Sequence, residues 1–502
     1  MNTEAPSAGV TPSAPSLLRS GAFSLATSAA PIVVALVAIP LLTRQLGTER
    51  LGLLALAWAW LGYAALLDFG LGRALTRLVA AVDAGEALDA PIGAFIATAH
   101  ATLTLVGGVV GGIGALVAPW YVTHVLHVSD AMRMDALVSA IIFALTVPAI
   151  TGASAPRAVL EARQQFRDVN LVRLPVSVGT FGVPLLLLPF TASLTVIALT
   201  LAAVRLWAWW RYSALARRAL PEQADQHASR TYLRPLLRAG AWMTVSNVLS
   251  PLMTVADRFL IGSMISVSAV ALYAVPWEAV TKLWIVPGAL TMVLFPALSS
   301  VSAAEPQALG PLHMAAVRVI TLIVTPVCAA ACLLAPWLLH LAGGAQYAGA
   351  SVVVLRILAV GVAANCIAAV PFTLIQASGR ARWTATIHLL EILPYALLLW
   401  FGVQRFGIVG AAGAWSSRAI IDAALMTWRG QLIAPLPTAS LWLTVLAVAG
   451  VGVAAWLGGA FAAASPISRI VALLVVATPA VVLWLRRPSA ERAVFLRAAG
   501  RS

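Results

Sequence analysis

Long apolar runs, broken by short connections that carry most of the arginines, set the pattern of this chain. An α-helix rises 1.5 Å per residue, so about 20 apolar residues cross the roughly 30 Å hydrocarbon layer of a bilayer. By that ruler the runs predict an all-α membrane protein of about fourteen transmembrane helices. They fall near 21–42, 51–79, 91–117, 137–160, 168–189, 191–212, 236–263, 269–297, 311–342, 351–376, 382–401, 408–429, 440–463 and 467–485. Pro326 and Pro336 predict a bend in the ninth, tolerated where neighbours satisfy the freed carbonyl.

The polar segments divide these helices. Residues 1–20, rich in Ser, Pro and Ala, read as a disordered cytoplasmic tail. Helices 1–6 make an N-lobe over 21–212, and a cytoplasmic linker follows over 213–235. Helices 7–12 make a C-lobe over 236–430. The segment 431–502 holds helices 13 and 14 and a cytoplasmic tail. Two local matches hint that the lobes repeat. Arg19-Ser20-Gly21-Ala22-Phe23 opens helix 1, and Arg238-Ala239-Gly240-Ala241-Trp242 opens helix 7. The loops Glu161–Arg167 and Gln376–Arg382 match at nearly the same offset. Parallel repeats of this kind place matching helices around an axis along the membrane normal.

Composition agrees with the pattern. The 502 residues are 61% hydrophobic and only 10% charged, where a soluble domain carries about 25% charge. A net charge of +14 invites a nucleic-acid reading, but the arginines lie between apolar stretches rather than on a polar domain, so nucleic acid is not expected as a partner. Basic residues concentrate in cytoplasmic loops. With the N-terminus inside, about 22 of the 32 basic residues fall on the cytoplasmic side. An even number of crossings returns the C-terminus to the same side. The expected location is a bacterial inner membrane, crossed many times.

Little in the chain supports catalysis. Lys282 is the only lysine and lies in Val-Thr-Lys-Leu, so there is no Walker motif. His124 and His127 are spaced as His-x-x-His without a nearby carboxylate and read as loop residues. Cys328, Cys332 and Cys366 lie in apolar runs, which argues against a disulfide framework or a metal site. No cofactor and no metal are expected. The glycines at 107, 108, 111, 112 and 114 read as a close helix-packing stripe.

What remains is a set of charges inside the predicted spans. Each costs about 2.5–3.5 kcal/mol at mid-membrane by insertion scales. The deepest are Asp68, Glu278, Lys282, Glu391, Arg418 and Asp422, with Asp257 and Arg258 nearer a helix end. Glu278 and Lys282 are four apart, as are Arg418 and Asp422, so each pair shares a helix face. Two readings stand. Glu278 and Asp422 are structural ion-pair partners, or Lys282, Arg418 and Arg258 offer positive charge to an anionic ligand in a wet cavity. Asp68 and Asp257 are candidates for a coupling ion, although Asp68 is equally placed to cap a helix break near Gly70 and Gly72.

Three stretches carry a family resemblance. Leu41-Leu42-Thr43-Arg44-Gln45-Leu46-Gly47, running into Leu51-Gly52-Leu53, resembles the turn between the first two helices of polysaccharide-biosynthesis flippases. Asp68-Phe69-Gly70-Leu71-Gly72-Arg73 resembles the end of their second helix, and Ala256-Asp257-Arg258-Phe259-Leu260-Ile261-Gly262 their seventh. These are the O-antigen and exopolysaccharide members of the multidrug/oligosaccharidyl-lipid/polysaccharide exporter superfamily. The resemblance implies two six-helix lobes around a central cavity, plus two C-terminal helices. It implies a flippase, not an enzyme, that carries a polyprenyl-diphosphate-linked oligosaccharide to the periplasmic leaflet by alternating access. Implied partners are that lipid, membrane lipid, and polysaccharide polymerase and assembly proteins. A peptidoglycan-precursor branch has a charged first helix, which 21–42 lacks. Competing readings are an ion-coupled multidrug or metabolite antiporter of the same superfamily, a membrane-embedded polymerase or glycosyltransferase, and a non-transporting scaffold. The polymerase would need an acidic site on a large outer loop, and the outer loops here are short.

Overall fold

The computed structural model describes residues 14–68, 70–83, 91–219, 228–304 and 306–460. Every regular element among them is helical: α1 (Ala14–Ala64), α2 (Leu71–Asp83), α3 (Ile92–Trp120), α4 (Asp130–Leu145), α5 (Val147–Gly152), α6 (Ser154–Ala162), α7 (Phe166–Leu187), α8 (Leu194–Ala219), α9 (Arg230–Met264), α10 (Val267–Thr281), α11 (Ile285–Ala304), α12 (Leu309–Gly343), α13 (Ala350–Ala377), α14 (Ala381–Gln431) and α15 (Thr438–Ala460). Among the described residues, ten stretches are long and apolar enough to cross a membrane. The expected fourteenth helix, 467–485, lies outside the described residues, as does most of the expected N-terminal tail; α1 already begins at Ala14.

Two of the long helices fold back on themselves. A straight helix of 51 residues would be about 76 Å long, more than twice the apolar layer. Gly47 breaks α1 with φ 76°, ψ 170°, and Gly407 breaks α14 with φ 57°, ψ −136°, conformations that cost a Cβ-bearing residue dearly. Val34 and Trp58 then meet the same turn of α7. The Val34 Cγ1 lies 3.7 Å from where a Gly182 Cβ would stand, and Trp58 Nε1 donates to the Thr180 carbonyl at 3.1 Å. In α14 the backbones of Gly402 and Gly410 touch across the hairpin, with no room for a side chain on either.

Other spans differ from their expected form. The second, expected as one helix over 51–79, stops at Ala64; the chain turns through Gly70 (φ 70°) into the amphipathic α2. Asp68 Oδ1 accepts the Gly70 N–H at 3.0 Å, the capping role its position allows. The eighth is broken by a 3₁₀ turn at Lys282–Trp284. The third ends in a π turn at Tyr121–Val125. The glycine stripe in α3 splits by face. A Cβ on Gly107 would run into Thr151 and Pro148, and one on Gly111 into the Ala144 carbonyl, whereas Gly108 and Gly112 face open space.

Helix starts in the first half have counterparts 215–217 residues on in the second. Ile92 opens α3 and Leu309 opens α12; Phe166 opens α7 and Ala381 opens α14. The Gly47 turn corresponds to the Met264–Val267 connection between α9 and α10. The connections sort onto two faces. The face with Arg157, Arg163, Arg380 and Arg382 at helix ends is arginine-rich. The face with Gly47, Ser266, Gly349 and Gly407 is arginine-poor. At the edge of the second half, Arg356 of α13 ties α15 in place: its Nη2 donates to the Gly458 carbonyl at 2.5 Å and its Nε to Cys332 O at 3.2 Å.

Candidate functional site

The two halves meet tightly at the arginine-poor face. A Cβ built on Gly52, just past the first hairpin, would overlap the Val267 carbonyl at the start of α10. One on Gly262 would stand 3.0 Å from Leu126 and 3.6 Å from Leu56. Tyr121 Oη donates to Phe259 O at 3.3 Å, and Arg44 Nη2 to Leu341 O at 3.0 Å. Toward the arginine-rich face the halves part around a cavity of about 390 Å³. Asp68, Thr76, Ser154, Arg157 and Glu161 line it from the first half, Ser250 and Phe372 from the second.

The charged residues singled out in the sequence gather inside the second half. Glu278 is central. Its Oε2 accepts Lys282 Nζ at 2.6 Å, and its Oε1 lies 3.5 Å from Arg258 Nη2. The expected Glu278–Lys282 pair therefore forms, and Arg258 is its third member. Lys282 sits in the 3₁₀ break with Nζ 4.8 Å from the Phe181 ring centre, which brings a first-half side chain against it. Arg258 lies over Trp277 at 5.4 Å, and Trp277 packs edge-on against Trp415 of α14 at 4.8 Å. Asp257 is fully buried; Oδ1 accepts the Arg258 N–H at 2.7 Å and Oδ2 accepts the Tyr273 hydroxyl.

Arg418 and Asp422 do not pair with each other. Arg418 Nη1 lies 3.4 Å from Glu391 Oε2, across the Gly407 hairpin, and its guanidinium covers Tyr395 at 5.7 Å. Asp422 Oδ1 faces His388 Nε2 at 3.6 Å. The order of the residues explains the difference. An acid four residues before a base, as in Glu278–Lys282, is the favourable direction along a helix dipole; Arg418–Asp422 runs the other way. The hairpin then offers Arg418 a better partner. Glu391 was visible as an intramembrane charge. Its pairing was not, because it depends on the glycine turn. Tyr273, Tyr395 and His388 were missed; His388, three residues before Glu391 on the same span, was the available signal.

These groups are incompletely satisfied. Arg258 Nε, Arg418 Nε, Glu391 Oε1, Tyr395 Oη and the indole nitrogens of Trp284 and Trp415 are buried without a hydrogen-bond partner. Buried polar atoms are nearly always paired, so this cluster has spare capacity for polar groups that enter it. The arrangement can hold an anion between Lys282 and Arg258, and it can exchange partners among its carboxylates. Asp68 lies apart from it, in the cavity between the halves.

Residues 18–302 match the family model described as polysaccharide biosynthesis protein. Over 413 residues the chain is 29% identical to the Shigella flexneri protein named "Putative O-antigen transporter", covering 82% of this chain and 97% of that protein. Its fold is similar to that of the lipid II flippase MurJ in an inward closed conformation, with TM-score 0.68 and 12% identity over 93% of this chain and 99% of that one. It is also similar to an inward-facing multidrug resistance MATE family transporter of the MOP superfamily, with TM-score 0.62 and 15% identity over 82% and 97% of the two chains. These relatives are named as transporters and flippases. With the family model matching over more than half its length, this chain, a multi-pass membrane protein, belongs to the polysaccharide biosynthesis protein family.

Proposed function

We propose that the chain is a flippase for a polyprenyl-diphosphate-linked oligosaccharide, an O-antigen or exopolysaccharide repeat unit. It moves the headgroup from the cytoplasmic to the periplasmic leaflet of the bacterial inner membrane by alternating access. The arginine-rich face is cytoplasmic, as the distribution of basic loops favours, and both termini lie there. The observation that carries the reading is the asymmetry between the halves: packed together at the arginine-poor face, parted around a polar cavity toward the other. A sugar diphosphate cannot cross hydrocarbon unaided, and this geometry gives it a wet path that is shut at the far end.

Lys282 and Arg258 are the cations proposed to take the diphosphate. They share Glu278 and so are already adjacent, and Lys282 faces the first half. A diphosphate makes the same charge-assisted bonds as the carboxylate and carries more negative charge, so it competes with Glu278 for both cations. Arg418 joins them only if Glu391 releases it. Asp257, enclosed with Tyr273 beside Arg258, is the proposed coupling-ion site; binding there would be felt directly by the headgroup cations.

The test is polysaccharide export in a strain lacking its own flippase, with membrane levels of each variant measured. The wild-type chain restores export; Lys282→Ala and Arg258→Ala lose it by tenfold or more, and Lys282→Arg retains part. Full export by both alanine variants overturns the diphosphate assignment. No restoration by the wild type in any tested strain overturns the function.

A further inference from the structure

We propose that the cavity between the halves is a saccharide site, separate from the cations that take the diphosphate, and that Asp68, Glu161 and Phe372 are its selective contacts. The inference deepens the flippase reading and rests on it.

The lining fits a sugar better than a phosphate. Among the described residues, two carboxylates, Asp68 and Glu161, and one guanidinium, Arg157, line it, a mixed set suited to hydroxyl groups. Carboxylates accept hydrogen bonds from vicinal hydroxyls, guanidinium donates to hydroxyl oxygens, and the hydroxyls of Ser154 and Ser250 do both. Phe372 supplies an apolar ring face for the C–H side of a pyranose. At about 390 Å³ the cavity falls within the range of small-ligand sites, about 300–1,000 Å³.

The polar groups are also available. Asp68 commits Oδ1 to the Gly70 N–H, and Oδ2 has no hydrogen bond among the described residues. Arg157 Nε stands 3.5 Å from Glu161 Oε1, a long and half-exposed pair that an incoming hydroxyl can open. Ser250 and Phe372 come from the second half, and the other lining residues named here come from the first. A sugar held there bridges the halves and loses one wall when they part, which is the step that releases it. Phe372 also stacks on His388 at 6.1 Å between ring centres. That contact joins the cavity to the buried carboxylates of α14.

The experiment uses the purified full chain in lipid nanodiscs and two soluble probes. One is the repeat-unit oligosaccharide released by mild acid from the lipid pool of the strain whose export the chain restores. The other is inorganic pyrophosphate. Asp68→Asn, Glu161→Gln and Phe372→Leu each weaken oligosaccharide binding by about tenfold and leave pyrophosphate binding unchanged; Lys282→Ala does the reverse. Gly72→Ala, whose Cβ would stand 3.0 Å from Asp68 Oδ2, weakens the oligosaccharide without removing any polar group. Thermal unfolding of each variant separates misfolding from lost contacts. Failure of the wild type to bind the oligosaccharide at millimolar concentration overturns the site, as does unchanged oligosaccharide binding in the cavity variants. Loss of pyrophosphate with those variants places the diphosphate in the cavity instead. Restoration of export in no strain removes the flippase reading, and this inference with it.

Discussion

The two halves differ in what they bury. In the second half the interior holds Asp257, Arg258, Glu391, Arg418 and Asp422, each less than a tenth exposed. In the first half, among the described residues, the fully buried polar side chains are threonines, serines and Asn170, and none is charged. The first half instead has an apolar cavity of about 440 Å³ toward the arginine-poor face, lined by residues such as Leu53, Trp60, Val117 and Phe143. Buried charge in a membrane is expensive, and the first half does without it among the described residues. Its retention on one side points to work done there. Inside its own bundle the first half is apolar and carries charges on the cavity wall; the second buries the groups that can exchange partners.

The strongest way to break this contrast is to remove one member of a buried pair. Arg418→Ala leaves Glu391 uncompensated, and losses of about 3–5 kcal/mol are usual for such a change. Thermal unfolding in detergent should show a large drop. The double variant Arg418→Leu with Glu391→Leu should recover most of the stability but not the export. If the double variant also restores export, the pair is structural only, and the second half loses its claim to be the working side.

A second test acts on the seam where the halves touch. Gly52→Leu places a side chain where the Val267 backbone already stands, so the arginine-poor face cannot close. Leu126→Cys, buried at that seam, should react with a membrane-impermeant maleimide in the Gly52→Leu background and not otherwise. The three native cysteines are buried and should stay silent. Export should fall by about a hundredfold. Unchanged labelling would mean that the seam is packing alone and takes no part in alternating access.

The sequence carried much of this. Apolar runs of about twenty residues pointed to an all-helical membrane fold because hydrocarbon demands internally satisfied backbone. The Glu278–Lys282 pair was legible because it is local and in the favourable order. Arg418–Glu391 was not, since it spans a hairpin whose existence rests on a single glycine conformation. Asp68 was legible as a break but not as a cavity wall, because Ser250 and Phe372 come to it from the other half. The tyrosines beside Asp257 and Arg418 gave no signal: an apolar helix is full of aromatic residues, and only the fold says which of them meets a charge.

The smallest expected effect tests the quiet half. Thr151 Oγ1 donates to the Leu103 carbonyl at 2.8 Å, joining α5 to α3 beside Gly107. Hydrogen bonds between membrane helices average about 0.6 kcal/mol where measured by double-mutant cycles, because the alternative state also finds partners. Thr151→Val keeps the shape and removes the hydroxyl, so stability should fall by about that amount and export should be unchanged. Val is β-branched like Thr and keeps its rotamer preference, while its methyl needs a few tenths of an ångström more room beside the Leu103 carbonyl, a small addition to the lost hydrogen bond. A loss near that of Arg418→Ala would show that the first half also depends on a polar network. The division into an apolar first-half interior and a charged second-half interior would then fail on the side where it now looks safest.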